Sequence, residues 1–152
     1  MGKIAVLLIA AGAASPGAPS PATPSPATPQ STEDALVADV ATAKFADATM
    51  PQAPKGSQSA LIGVDPQTKG PTAYNKTPAG GGLPAHWHSH PEYTVLLAGK
   101  GTLVVDGKKH EVGPGSYFVI PAKAVHQFTC GSGADCLQLI RRGGPPDYNW
   151  VK

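Results

Sequence analysis

Seven consecutive residues, His86-Trp87-His88-Ser89-His90-Pro91-Glu92, concentrate the metal-binding chemistry of this 152-residue chain. Side chains on an extended strand alternate between its two faces. His86, His88 and His90 are therefore expected to point one way, with Trp87 and Ser89 opposite. Pro91 should bend or end that strand and let Glu92 open the next. Two imidazoles and a carboxylate then come within reach of one cation. Imidazole suits transition ions, and a single carboxylate lowers the positive charge of the filled site. One isolated histidine would read as an ordinary core or surface residue. Here the spacing, the alternation and the following glutamate agree. His110, among charges in Lys109-His110-Glu111, has none of these signals and reads as solvated.

Three local ligands need a further one from a distant strand. His126 is the best candidate, because the turn in Pro121-Ala122-Lys123-Ala124-Val125-His126 delivers a strand start. The expectation is one divalent ion held by His86, His88, Glu92 and His126. Mn, Fe, Ni, Cu, Co and Zn all accept this donor set. Four ligands on an octahedral ion leave two positions open, for a substrate oxygen and for water or dioxygen. His90 is the one candidate for proton transfer, against the plainer reading of a loop histidine.

The elements that must position these residues are short. From Gln58 onward, apolar or alternating runs are cut by Gly, Pro and Asp clusters. The runs are 60–64, 72–77, 85–90, 93–98, 102–105, 116–120, 125–129 and 136–141. Asp106-Gly107 is a two-residue hairpin signal. Regular short strands with such turns predict an all-β fold, an antiparallel barrel or sandwich. Alternation then nominates residues around the ion: Thr94 and Leu96 with Glu92, Phe128 with His126, Tyr74 and Lys76 on an earlier run, and Gln138 with Ile140 on a later one. Most of these fit a core equally well. Lys76 and Gln138 are the polar members that would be costly to bury without a partner.

The ends of the chain differ from its middle. Lys3 followed by the apolar stretch Ile4–Ala14 resembles an export signal, and eleven residues are too few to span a bilayer as a helix. A buried N-terminal strand is the alternative. Residues 15–30 hold six prolines among Ser, Ala, Thr and Gly. They predict an extended linker of about 50 Å, at roughly 3.1 Å per residue. Residues 31–57 are expected to be an extension packed on the barrel formed by 58–152. Ser31-Thr32-Glu33-Asp34 resembles a helix start, and a strand near 43–48 competes with it. The expected location is the periplasm or beyond the cell, where disulfides persist. Cys130 and Cys136 flank Gly131–Asp135 at an expected hairpin. Opposed strand residues there lie within reach of a bridge. Two thiols, or Cys130 as a fifth ligand, are the alternatives. Net charge is +2 with no basic run beyond Lys108-Lys109 and Arg141-Arg142, which argues against nucleic acid as partner.

The spacing also resembles a known family. Gly80, five residues, His86-x-His88, three residues, Glu92, six residues and Gly99 are similar to the first cupin motif. Gly115, five residues, Pro121 and His126 five positions on are similar to the second. Lys123 and Cys130 depart from it, standing where the family has glycine and asparagine. The resemblance covers roughly residues 58–142. It implies a single cupin β-barrel of antiparallel jelly-roll type, often dimeric, with a metal held by His86, His88, Glu92 and His126. It does not supply a reaction, because this fold hosts many. Two expectations remain: a metal-dependent enzyme of oxygenase or isomerase type acting on a small oxygenated molecule, or a metal-dependent ligand-binding or sensing module.

Overall fold

The computed structural model describes residues 34–152. The expected export signal, the linker and Ser31 lie outside them. Within the unit Leu36–Lys152, eleven strands follow one another: β1 Ala46–Asp47, β2 Gln58–Val64, β3 Pro71–Thr77, β4 His86–Trp87, β5 Glu92–Ala98, β6 Gly101–Val105, β7 Lys108–Val112, β8 Tyr117–Ile120, β9 His126–Cys130, β10 Cys136–Arg142 and β11 Asn149–Trp150. They form a six-stranded sheet in the order β1-β2-β3-β10-β5-β8 and a five-stranded sheet in the order β11-β4-β9-β6-β7. Every pairing is antiparallel. Two such sheets packed through their inner faces make an all-β sandwich of jelly-roll type.

The strands form where short apolar runs meet turn chemistry. Asp106 and Gly107 both take positive φ, 47° and 79°, as the tight turn between β6 and β7 requires. β7 is absent from the expected runs because its sequence Lys-Lys-His-Glu-Val is almost wholly exposed and shows no apolar alternation. The expected strand over 85–90 shrinks to two residues. After Trp87 the backbone leaves the sheet: the Ser89 amide binds the Asp147 carboxylate at 3.1 Å, and the His88 carbonyl accepts from the Lys123 amide at 2.8 Å. No helix occurs among the described residues. Residues 46 and 47 pair with 59 and 58, so the stretch near 43–48 holds a strand.

Inward and outward faces follow from β10, where Cys136, Gln138, Ile140 and Arg142 are buried while the intervening residues are not. Its register sets Gln138 opposite Asn75, and Ile140 opposite Ala73 and Thr94. Tyr74 and Lys76 therefore belong to the outward set of β3. Residues before β1 cover that side: the Tyr74 hydroxyl reaches the Ala38 carbonyl at 3.4 Å, and the Lys76 ammonium lies 3.7 Å from the Phe45 ring centre.

Between the sheets, Leu96, Cys130 and Cys136 form one apolar cluster and Leu103, Ile120 and Ala124 another, both touched by Val112 and Phe128. Cys130 and Cys136 are bonded, with Cα atoms 5.8 Å apart. They do not flank a hairpin as expected. β9 and β10 belong to different sheets, so the bridge ties the two layers together. It also removes Cys130 as a metal ligand. Gly99 makes room for it: a Cβ there would meet Cys136 Sγ at 2.8 Å, and its φ of +81° is one that side chains resist.

Candidate metal centre

His86 on β4 and His126 on β9 are direct partners in an antiparallel pair, so their side chains leave the same face side by side. His88 follows two residues later, where the chain leaves the sheet. Ring centres lie 4.3 Å apart for His86 and His126, 4.8 Å for His86 and His88, and 5.0 Å for His88 and His126. One nitrogen from each of the three falls within 4.8 Å of the others.

The second nitrogen of each ring is tied to backbone. His86 Nδ1 lies 2.7 Å from the Pro84 carbonyl, and His126 Nδ1 lies 3.0 Å from that of Ala124. His88 Nδ1 meets the Asp147 carbonyl. A carbonyl only accepts, so each Nδ1 carries the proton and each Nε2 keeps its lone pair. This is the tautomer that metal ligation needs. His88 Nε2 is buried and has no hydrogen-bond partner. Burial pulls the His86 pKa down to about 4, with the neighbouring imidazoles reinforcing it and the Pro84 carbonyl and Glu92 opposing. Burial likewise lowers His126. Both rings are neutral at pH 7 and need lose no proton to bind an ion.

Glu92 stands beside this trio. Its Oε2 lies 3.5 Å from His88 Nε2, and its Oε1 accepts from Thr94 Oγ1 at 2.8 Å. The same Oε2 meets Arg142 Nη1 at 2.5 Å. β5 and β10 place the two residues directly opposite each other. Burial would raise the Glu92 carboxyl, but the Arg142 charge and the hydrogen-bonding neighbours outweigh it and hold the pKa at about 2. Glu92 is thus a fixed anion already shared with a guanidinium.

Arg142 is absent from the candidates read in the sequence, where it appears only in a basic dipeptide. Its parity with Gln138 and Ile140 is the signal that could have found it. It is 8% exposed, and its Nη2 donates to the Tyr148 hydroxyl at 3.2 Å. Tyr148 and Trp150 were also missed, since nothing local ties them to the histidines. Trp150 pairs with His86 across β11 and β4, and the Tyr148 and Trp150 rings stack at 5.7 Å. Asp147 fixes this segment through Ser89, whose amide and hydroxyl both donate to its carboxylate.

Next to the trio lies a cavity with about 70 Å³ open to the centres of water-sized molecules. At roughly 10–15 Å³ per water on this measure, it holds several waters or one small organic molecule. His86, His126, Glu92 and Arg142 form one wall and Phe128, Ile140 and Leu83 another. Met50, Pro54 and Ser57, from the segment before β2, close it. Of the residues nominated from sequence, Phe128 and Gln138 line this cavity, and Lys76 borders it while its ammonium turns away onto the Phe45 ring. Tyr74 does not, because it belongs to the outward set of β3 beneath residues 36–45. Thr94 and Leu96 are fully buried and act elsewhere, Thr94 on Glu92 and Leu96 in the apolar cluster. His90 does not line it either. Its ring packs so closely on Gly144 that a Cβ there would lie 2.5 Å away.

Residues 75–139 match the family model described as a cupin domain. No curated protein matches the sequence. Solved structures share the fold. The polyketide cyclase RemF from Streptomyces resistomycificus superposes with a TM-score of 0.63 at 23% identity, covering 76% of this chain and 84% of that one. Rru_A2000 from Rhodospirillum rubrum, a cupin-2 domain, gives 0.61 at 17% identity, covering 72% and 76%. KdgF from Halomonas sp. gives 0.56 at 18% identity, covering 68% and 89%. At these identities the likeness is one of fold.

Proposed function

Because this chain belongs to the cupin superfamily, we propose that it is an exported metalloprotein whose His86, His88 and His126 hold one divalent transition ion beside a small-molecule cavity. Glu92 is the acidic member of the set. The observation that carries this reading is the tautomer lock: three buried imidazoles present free Nε2 lone pairs toward a common point, and one of these has no protein partner. A bound ion would supply Lewis acidity or an acidified water at the cavity wall. Around it the protein excludes solvent, keeps the ligands deprotonated and offers Arg142, Tyr148 and Gln138 to orient a small oxygenated ligand. The cross-sheet disulfide supports export, since such bonds persist outside the reducing cytosol.

Turnover of oxygenase or isomerase type is one use of such a site. Metal-dependent binding without turnover is the other, and the Arg142–Glu92 pair favours it. A carboxylate held near pKa 2 is a poor proton acceptor at neutral pH, and His90 lies off the cavity. Elemental analysis of protein purified without chelator should find about one ion per chain, in keeping with a single three-imidazole site. The double variant His86→Ala, His88→Ala should lose it. An unchanged metal content in that variant would sink the proposal.

A further inference from the structure

The three rings of the candidate metal centre are not anchored alike. His86 is tied to the carbonyl of Pro84 and His126 to that of Ala124, each two residues back along the chain. These anchors are local and come with the start of β4 and β9. His88 is tied instead to the carbonyl of Asp147, far later in the sequence. Its backbone has left the sheet after Trp87, so no strand sets the direction of its ring. The orientation of this one ligand therefore depends on a distant segment staying in place.

That segment, residues 147–151, lies along residues 85–89. The Asp147 carboxylate accepts from the Ser89 amide at 3.1 Å and from the Ser89 hydroxyl at 2.7 Å. Asn149 Nδ2 donates to the same carboxylate at 2.9 Å. Asn149 and Trp150 pair with Trp87 and His86, and the Val151 amide donates to the Ala85 carbonyl at 3.0 Å. The Tyr148 ring centre lies 5.0 Å from that of His88 and 5.6 Å from that of His86. The clamp is at the surface, with Ser89 exposed and Asp147 half-buried, and hydrogen bonds made against water hold weakly. β11 is a two-residue strand at the edge of its sheet, so it can detach without breaking any other strand pairing.

We infer that Asp147 is a positioning residue of the metal centre and that residues 147–151 form a strap whose docking makes His88 a ligand. With the strap docked, three imidazoles converge. With it away, His86 and His126 keep their anchors and His88 loses its own. This rests on the metal-site reading and adds its regulation. Groups that hold the second nitrogen of a metal-bound imidazole set affinity by about 10–100-fold. Coupling is reciprocal, so an ion that strap docking favours also favours strap docking.

The test uses the full chain, with Zn2+ affinity measured by chelator competition and Cu2+ spin resonance counting the bound imidazoles. Asp147→Ala leaves the carbonyl in the chain but frees its position. It should weaken Zn2+ about tenfold or more and lower the imidazole count from three to two, as His88→Ala does. Asp147→Asn keeps an acceptor for Ser89 and should restore most of the loss. Ser89→Ala should weaken Zn2+ several-fold, and it tests the same clamp should Asp147→Ala not fold. Zn2+ should slow amide hydrogen exchange at Ser89 and Val151 in the wild type. Unchanged affinity and three imidazoles in the clamp variants, or a loss that Asp147→Asn restores in no part, would overturn the strap and leave the metal reading standing. A wild-type protein that takes up no Zn2+ would sink both.

Discussion

The two ends of the sandwich interior are built from the same strands with opposite chemistry. β5 carries Glu92 at one end and Leu96 at the other. β9 runs from His126 through Phe128 to Cys130, and β10 from Cys136 through Gln138 and Ile140 to Arg142. Inward positions along each strand therefore pass from polar to apolar within four to six residues. At one end, burial removes carbon from water and a disulfide joins the layers. At the other, buried charges and lone pairs must be matched to each other and to a ligand. The strand pattern says only which face is inside. What the inside is for depends on which residues fill it.

This contrast can be broken experimentally. Arg142→Leu should do most, because it leaves the Glu92 carboxylate buried and unpaired; removing one partner of a buried pair costs about 3–5 kcal/mol. Denaturant unfolding of metal-free protein at pH 7 should show that loss, and an added divalent ion should recover part of it. A loss below about 1 kcal/mol, the level of an exposed pair, would mean that the polar end is solvated. The double variant Cys130→Ala, Cys136→Ala should cost about 2 kcal/mol through the loop that it reopens, with metal affinity unchanged. A parallel loss of metal would show that the two ends are not independent.

Within the sandwich interior, acid should act on the polar end alone. The His86 pKa is about 4 when folded, against 6.5 for the free side chain. Below pH 6.5 the unfolded chain gains a proton that the folded chain refuses, so stability falls from there down to about pH 4. Glu92, about 2 when folded against 4.5, extends the loss from pH 4.5 toward 2. The denaturation midpoint of metal-free protein should follow this course, and the cysteine-free variant should trace the same profile at lower stability. A flat midpoint between pH 6.5 and 4 would contradict the buried, neutral trio. The smallest effect is expected at Lys123, whose φ of 67° is costly for a side chain. Lys123→Gly should leave stability unchanged or raise it by up to about 1 kcal/mol, with the metal site intact.

Lys123 also shows how much a sequence can carry. A lysine at a position where the cupin motif has glycine looks like a departure, yet the backbone keeps the left-handed turn and its amide holds the His88 carbonyl. Spacing was enough to nominate His86, His88 and His126, although what sets His126 beside His86 is the pairing of β4 with β9. Arg142, Tyr148 and Ser57 were not legible. Arg142 reaches the site through Glu92 and Tyr148 through the rings of His86 and His88, contacts far apart in sequence that no local window encodes. The bond between Cys130 and Cys136 was accessible from their separation, but its place across two layers was not. That follows from sheet order, where β9 and β10 part company. Tyr74 was misplaced for the same reason: parity is read within one strand, while the inward side is set by its neighbours.

The anchoring of His88 has a consequence in time. The carbonyl that orients its ring belongs to Asp147, 59 positions later in the chain, and one of the two strand partners of His86 is Trp150. A polypeptide emerging from a ribosome or threading a translocation channel would have made both histidines long before it made what aligns them. Ion capture should therefore be among the last events of maturation, after residues 147–150 have docked, and the metal supply that matters is the one in the compartment where docking happens.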